Sequence, residues 1–384
     1  MDKWNMVKLS DVFTLQMGKT PSRNNPDYWN GNHKWLSIAD FGMNGKYINK
    51  TKECITDAAV AESGIKATPH NTVVMSFKLS IGKTAITVKD IFTNEAIMSF
   101  IDKGTYPIDV NYIYHLFSGK DWSKGTNKAV MGTTLNKATL SQITIPLPPI
   151  ESQYQIADNL EKVSKLIDIC NTILNKLDIL VKSRFVEMFG NPITNSHNLP
   201  LKTLSELGEL GRGISKHRPR NAPELLGGVY PLIQTGDVAN ASLYILDYNS
   251  TYSETGFKQS KMWSKGTLCI TIAANIAKTA ILSFDSCFPD SVVGFNANVS
   301  TNNIFIHFWF SFFQEILEEQ APESAQKNIN LKILSELKVI VPPIELQQQF
   351  ADFVAQTDKS KLAVKHILEK AETLKKSLMQ EYFG

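Results

Sequence analysis

The chain has 384 residues, 43% of them hydrophobic and 20% charged, with a formal net charge of +3 at pH 7. That length predicts two or three domains, and the ordinary apolar fraction excludes a wholly disordered chain. No run of about 18 apolar residues occurs, so no transmembrane helix is expected; the four cysteines (Cys54, Cys170, Cys269, Cys287) form no CxxC pair, which argues against a disulfide scaffold or zinc finger and fits a reducing cytoplasm.

The opening MDKWNMVKLSDVF lacks the apolar stretch of a secretory signal. Through residues 1–150, short apolar runs such as NTVVMSF and TAITV are broken by Gly, Asn, Pro and Ser, which predicts strands flanked by turns. A helical stretch over 110–118 makes this part a mixed α/β or α+β globule. It carries 17 Lys+Arg against 12 Asp+Glu, a balance of 17 − 12 = +5. Pro148-Pro149 ends it, and residues 151–190 then predict a long helix free of proline and glycine until Gly190, apart from no other break. Ile156, Leu160, Val163, Ile167, Cys170, Leu174, Leu177 and Val181 recur there at alternating spacings of four and three, a heptad seam. Glu151 puts an acid in the first turn, where the helix dipole favours it.

Residues 198–343 predict a second globule, with strands at TLCITIA and LKVIVPP and a helix over 304–319. It is nearly neutral but polarised: Lys202, Arg212, Lys216, Arg218 and Arg220 lie near its start, and Glu315, Glu318, Glu319 and Glu323 near its end. After Pro342-Pro343, residues 344–384 predict a second long helix. Phe350 and Val354 hold its register, and Leu362, Ile367, Leu368, Ala371, Leu374 and Leu378 then carry its apolar stripe. Each helix of about 38 residues, near 57 Å long, needs a partner for its stripe and has the other available. An intramolecular coiled coil separating two similar globules is expected.

The similarity of the two globules is an internal repeat. Shifting the sequence by 194 to 197 residues brings Leu9-Ser10-Asp11 onto Leu204-Ser205-Glu206 and Lys83-Thr84-Ala85-Ile86 onto the identical Lys278-Thr279-Ala280-Ile281. Pro148-Pro149-Ile150-Glu151 meets Pro342-Pro343-Ile344-Glu345, and Phe189-Gly190 meets Phe383-Gly384. Sequence motifs for catalysis are missing. Neither GKT triplet completes a Walker A loop, because Phe13 and Phe77 stand where its first glycine belongs. GELGRG (208–213) lacks the dinucleotide-binding spacing and reads as a flexible turn. The seven histidines show no metal-binding spacing, no GxSxG elbow occurs, and Asp27 and Asp290 have no nuclease-like ExK behind them. A chain that binds rather than reacts is expected.

The order of these pieces resembles the specificity subunit of Type I restriction–modification enzymes. The resemblance rests on VKLSDVFTLQMGKTPSR, IPLPPIESQYQIADNL and KSRFVEMFGNP, repeated as LKTLSELGELGRGISK, VIVPPIELQQQFADFV and a terminal KSLMQEYFG, and it covers essentially the whole chain. It implies two target recognition domains, 1–150 and 198–343, each reading one half of a bipartite, asymmetric site on double-stranded DNA. It implies spacer helices at 151–190 and 344–384 that pair antiparallel, set the gap between half-sites and dock partners. Those partners are two methyltransferase (M) subunits and two restriction (R) subunits; S-adenosylmethionine, ATP and Mg²⁺ belong to them, and this chain carries no cofactor or metal. The rival reading is a pseudo-dimeric coiled-coil scaffold with no DNA role, for which the low net charge is the best argument.

Candidate DNA contacts follow from residue chemistry. In the first globule, Lys19, Ser22, Arg23 and Lys34 lie in a polar stretch with Asn24, Asn25, Tyr28 and Trp29, and Arg and Asn are shaped for bidentate base readout. Lys120, Lys124 and Lys128 are spaced around a turn, as phosphate contacts would be. In the second, Arg212, Lys216, His217, Arg218 and Arg220 form the densest basic cluster in the chain. The repeated Lys83 and Lys278 either touch phosphate symmetrically or flank a strand. The aromatic run 304–313 (IFIHFWFSFF) is expected to be buried rather than a base-stacking platform.

Overall fold

The computed structural model describes residues 4–78, 80–122, 127–129, 132–273, 276–320 and 329–384, leaving aside the side chains of 127–129, 132–134 and 315–320. It divides into two compact units, Met1–Asn171 with His366–Gly384, and Thr172–Lys365.

In the first unit a five-stranded sheet runs in the order Phe13–Met17, Ile97–Asp102, Val73–Ser76, Thr84–Thr87, Tyr47–Ile48; only the last pairing is parallel. The unbroken apolar runs of the inner strands follow from burial on both faces. Val73, Met75, Ile86 and Met98 point into a core with Phe13, Phe100 and the helix Val110–Gly119, while Val74, Ala85 and Ile97 point into a second cluster with Leu36, Phe41 and Ile48. A smaller sheet, ordered Glu53–Ile55, Trp29–Leu36, Phe92–Thr93, carries the polar loop segment from 19 onward.

The second unit repeats this design, with Met262–Trp263 as a fourth strand in its smaller sheet. Its five-stranded sheet runs Gly208–Arg212, Val292–Ala297, Leu268–Thr271, Thr279–Leu282, Tyr244–Ile245, and its smaller sheet is built on Leu226–Leu232. Even polar details repeat: the Lys83 amide donates to Ser76 Oγ and the Lys278 amide to Thr271 Oγ1, both at 3.1 Å. The aromatic run forms part of the helix Asn303–Gln320, with Phe305, Ile306, Trp309 and Phe310 buried. GELGRG departs from the sequence expectation. Gly208–Arg212 is an edge strand rather than a turn, and its glycines answer to close packing: a Cβ on Gly211 would lie 2.5 Å from the Trp263 ring, and one on Gly208 would lie 2.3 Å from the Asn296 carbonyl.

The long helices span Ile150–Phe189 and Ile344–Phe383, 40 residues each. Both start on a buried glutamine that joins helix to globule. Gln153 Oε1 accepts the Asp109 amide (2.9 Å), and its Nε2 donates to the carbonyls of Pro107 (3.1 Å) and Pro148 (2.9 Å). Gln347 Oε1 accepts the Thr301 hydroxyl (2.8 Å) and the Asn302 amide (3.3 Å), and its Nε2 donates to the carbonyls of Ser300 (3.1 Å) and Pro342 (2.9 Å).

Within each unit the helix segments run antiparallel. In the first, Asn159 near the start of one helix donates to the Tyr382 hydroxyl near the end of the other (3.2 Å). In the second, the rings of Phe185 and Phe189 pack on Phe350, and Lys361 pairs with Asp178 at 2.7 Å. On the first helix Ile156, Leu160, Val163, Cys170 and Val181 are buried, and Ile167, Leu174 and Leu177 half-buried. The stripe expected on the second helix is corrected. Leu362, Ile367 and Leu374 are 61%, 47% and 49% exposed. The strict heptad line runs instead through Phe350, Val354, Thr357, Lys361, Val364, Leu368, Ala371, Lys375 and Leu378, each buried or half-buried. Polar Thr357, Lys361 and Lys375 on that line hide it from an apolar search. Among the described residues, no helix is long and apolar enough to cross a membrane.

Candidate nucleic-acid interface

The basic side chains of the first unit fall into two groups. Arg23 is held: its guanidinium lies 3.8 Å from the centroid of Trp29 and forms a two-pronged pair with Glu53, one prong at 2.9 Å. Those hydrogen bonds lower the Glu53 carboxyl pKa and raise that of Arg23. Asn25 caps the turn Pro26–Tyr28 by accepting the Asp27 amide, and Trp29 Nε1 donates to the Ser22 carbonyl (3.2 Å). Lys34 donates its ammonium to the Asn49 carbonyl. The segment from 22 to 35 is thereby a pinned surface, not a floppy loop. Lys19, Ser22 and Lys83 are exposed on this unit. The Lys120 amide closes the helix on the Leu116 carbonyl (3.1 Å), and its ammonium lies 5.9 Å from the Trp122 centroid. Lys124 lies outside the described residues, as does the Lys128 side chain.

In the second unit the basic cluster is organised by one carboxylate that the sequence reading considered only as a nuclease candidate. Arg220 forms an ion pair with Asp290, Arg218 reaches its carboxylate at 3.2 Å, and Arg212 donates through Nε to its main-chain carbonyl. The amides of Lys216 and His217 both donate to Gln259 Oε1 (2.6 and 3.1 Å), and His217 Nε2 lies 3.6 Å from Glu224. Two guanidinium groups on one carboxylate, with a third on the main-chain carbonyl of the same residue, leave the local charge positive and the forks rigidly aimed. Lys216 stays exposed, while Lys278 is half-buried at the start of its strand. Sequence reasoning missed Glu53 and Asp290, the acids that hold these arginines, because each lies at least 30 residues from its partner.

This arrangement can donate hydrogen bonds and positive charge. Among the described residues, no cluster of three His, Cys, Asp or Glu is placed to hold a metal ion. The buried histidines are neutral near pH 7. Burial lowers His115 to about 4, with Lys46 and Lys375 acting in the same direction and Glu161 opposing; burial likewise lowers His307 to about 4.

Taken together, two copies of one α+β domain, each continued into a 40-residue helix and each presenting pinned basic side chains, define a tandem-repeat specificity architecture. The chain belongs to the Type I restriction modification DNA specificity domain family, which matches residues 1–178 and 201–373. Over 192 residues it is 30% identical to the Type I restriction enzyme MjaIX specificity subunit of Methanocaldococcus jannaschii, a match covering 48% of this chain and 44% of that one. Over 178 residues it is 26% identical to the EcoprrI specificity subunit of Escherichia coli, covering 45% and 42%. The chain thus spans about half the length of these curated relatives. The fold is similar to the S subunit of a Type-I restriction-modification system from M. genitalium, at 15% identity, a TM-score of 0.59 and coverage of 99% and 96% of the two chains. It is also similar to a chain from a structural study of complex assembly and conformational transition in the type I R-M system, at 14% identity and a TM-score of 0.63, covering 100% and 98%.

Proposed function

We propose that this chain is the DNA-recognition subunit of a Type I restriction–modification complex, working in the cytoplasm. Each recognition domain reads one half of a split, asymmetric site on double-stranded DNA. The chain itself is non-catalytic. Two methyltransferase subunits dock on it, two restriction subunits join for cleavage, and S-adenosylmethionine, ATP and Mg²⁺ are bound by those partners.

The observation that carries this reading is that the same fold is present twice with a different polar arrangement at the same surface. The bulged strand Trp29–Leu36 pairs Trp29 with Ile55 as Leu226–Leu232 pairs Leu226 with Tyr252. There Arg23 of the first unit lies on Trp29 and is held by Glu53, whereas its counterpart Arg220 pairs with Asp290 beside Arg218, with Leu226 in the place of Trp29 and Ser250 in that of Glu53. One frame with two different polar surfaces suits a protein that reads two different sequences.

Partner docking is supported by what the helices leave uncovered. Ile367 and Leu374, one i,i+7 pair, are 47% and 49% exposed in the first unit; their repeat counterparts Ile173 and Leu180 are 37% and 48% exposed in the second. Lys370 and Lys176 accompany them at equivalent positions. An apolar patch offered once by each unit suits two copies of one partner.

The test is co-expression with a candidate adenine methyltransferase followed by methylation mapping of the host DNA. Methylation confined to a split, asymmetric motif supports the reading. Co-purification without any new motif favours the scaffold alternative, and failure to co-purify overturns the assembly itself.

A further inference from the structure

A cavity of about 1060 Å³ in the first unit lies where the recognition domain meets the paired helix segments. Its wall carries five lysines against three carboxylates. One of those carboxylates, Glu161, is matched by Lys46. Lys83 from the recognition domain, Lys165 from the first long helix and Lys376 from the second all line it, and none of the three side chains has an ion-pair or hydrogen-bond partner among the described residues. Two buried or part-buried polar atoms at the same wall, His115 Nε2 and Ser164 Oγ, also lack a hydrogen bond.

The repeat shows which of these features matter. The two helices align without a gap from Pro148 and Pro342 to Gly190 and Gly384. The counterparts of Lys165 and Lys376 are then Lys359 and Lys182, and that of Lys83 is Lys278. All three belong to the second unit, where Lys359 and Lys182 are exposed and Lys278 half-exposed, again without a side-chain partner among the described residues. Thr84 recurs as Thr279 and the acid Glu372 as Asp178, but most of the rest of the wall is not kept. Glu161 becomes Ala355, Asp168 becomes Leu362, Ile167 becomes Lys361, Met379 is matched by Phe185 and His115 by Phe308.

We propose that the lysine triads Lys83–Lys165–Lys376 and Lys278–Lys359–Lys182 grip the DNA backbone phosphates, one triad per half-site. This rests on the DNA-recognition reading and adds that the helices themselves contribute to DNA affinity. A surface shaped for a protein segment would have to keep its contours in both units, whereas a phosphate contact needs only a cation in the right place. Two domains that read different bases still meet the same backbone, so the charges that recur while their surroundings change are those expected to position the duplex rather than read it.

The experiment uses the full chain assembled with its methyltransferase subunits, and two duplexes: one containing the mapped methylation motif and one with both half-sites scrambled. Lys83→Gln, Lys165→Gln and Lys376→Gln are combined in one variant, and Lys278→Gln, Lys359→Gln and Lys182→Gln in another. Each variant is expected to weaken binding to both duplexes by the same factor, roughly ten-fold or more at moderate salt. Each should also flatten the plot of log affinity against log salt by up to about 2.7, about 0.9 for each lost phosphate contact. The methylated motif should stay the same, and Lys→Arg at the three positions should restore the slope. An unchanged slope in an assembled variant overturns the proposal. So does lost co-purification with normal affinity in whatever complex remains, which would assign the lysines to an acidic segment of the partner. If the unmodified complex binds neither duplex, the DNA-recognition reading fails before the triads are tested.

Discussion

Replacing Gln153 or Gln347 by leucine tests how each globule is fixed to its helix. Both side chains are fully buried. Leucine has nearly the volume of glutamine, so packing changes little and the effect is one of hydrogen bonding. Gln153 makes three hydrogen bonds of 2.9 to 3.1 Å, and Gln347 four of 2.8 to 3.3 Å. A lost hydrogen bond costs about 1 kcal/mol net, and a buried group left without a partner costs about 1–3 kcal/mol. The Asp109 and Asn302 amides sit at helix starts and have no other acceptor among the described residues, so each substitution is expected to cost about 3–5 kcal/mol. Equilibrium urea unfolding measures this, with Gln153→Leu acting on the first unit and Gln347→Leu on the second. A loss below about 1 kcal/mol would refute the hydrogen-bond account. Glutamate at either position keeps the acceptor, removes both donors and sets a carboxylate against two carbonyls, so at neutral pH it should be at least as damaging as leucine. If glutamate is tolerated, the donor half of the argument is wrong.

Acid stability should depend on His115 and His307. An unfolded imidazole takes up its proton near pH 6.5, while these two do so only near 4, so stability should be full above about 6.5 and fall as the pH drops toward 4. The loss is on the order of 3 kcal/mol per histidine. His115→Phe, the residue at the matching place in the second copy (Phe308), should flatten the pH dependence of the first unit's melting temperature; an unaltered profile counts against it. Leu374→Asp with Leu180→Asp should abolish co-purification with the methyltransferase while leaving melting within a few degrees, since both side chains are about half exposed. Retained assembly would remove these residues from the docking surface. Asp290→Asn takes away the charge that holds Arg218 and Arg220. It should raise affinity for scrambled duplex and narrow the ratio between cognate and scrambled binding, measured in the same titrations. An unchanged ratio would mean that the arginines do not read bases.

Much of the architecture was legible because it repeats. The shared KTAI and Pro-Pro-Ile-Glu segments mark equivalent places in the two units, and the aliphatic heptads of the first helix announce its seam. The second helix hid part of its seam because Lys361 sits on the heptad line, its side chain 15% exposed and its ammonium satisfied by Asp178 and Asp358. A long side chain can bury its stem there while its charge finds a partner. GELGRG was misread as a turn because the Trp263 ring that forbids a Cβ at Gly211 is 52 residues away in sequence, 263 − 211. The candidate site was legible only as charge. Density in the sequence located the arginines of 212–220, but whether a guanidinium is free or held depends on acids brought in by folding.

Comparing the two copies separates what the fold needs from what it does not. Identities such as buried Gln153 with Gln347, and buried Phe189 with half-buried Phe383, are accounted for by packing and hydrogen bonding at the helix ends. Differences are tolerated even at a buried place, where Trp35 of the first unit is Leu232 in the second, and the part-exposed Glu53 that holds Arg23 is Ser250. Exposed identities have no such account. Ile173 with Ile367, Leu180 with Leu374, and Lys165 and Lys182 with Lys359 and Lys376 contribute little to either core, and an exposed lysine without a partner adds almost nothing to stability. Their recurrence, set against a recognition surface where Trp29 gives way to Leu226 and Glu53 to Ser250, divides the labour within each unit. The variable surface distinguishes one half-site from the other, and the invariant helix flanks meet what is common to both: the sugar-phosphate backbone on one side and two copies of the same partner on the other.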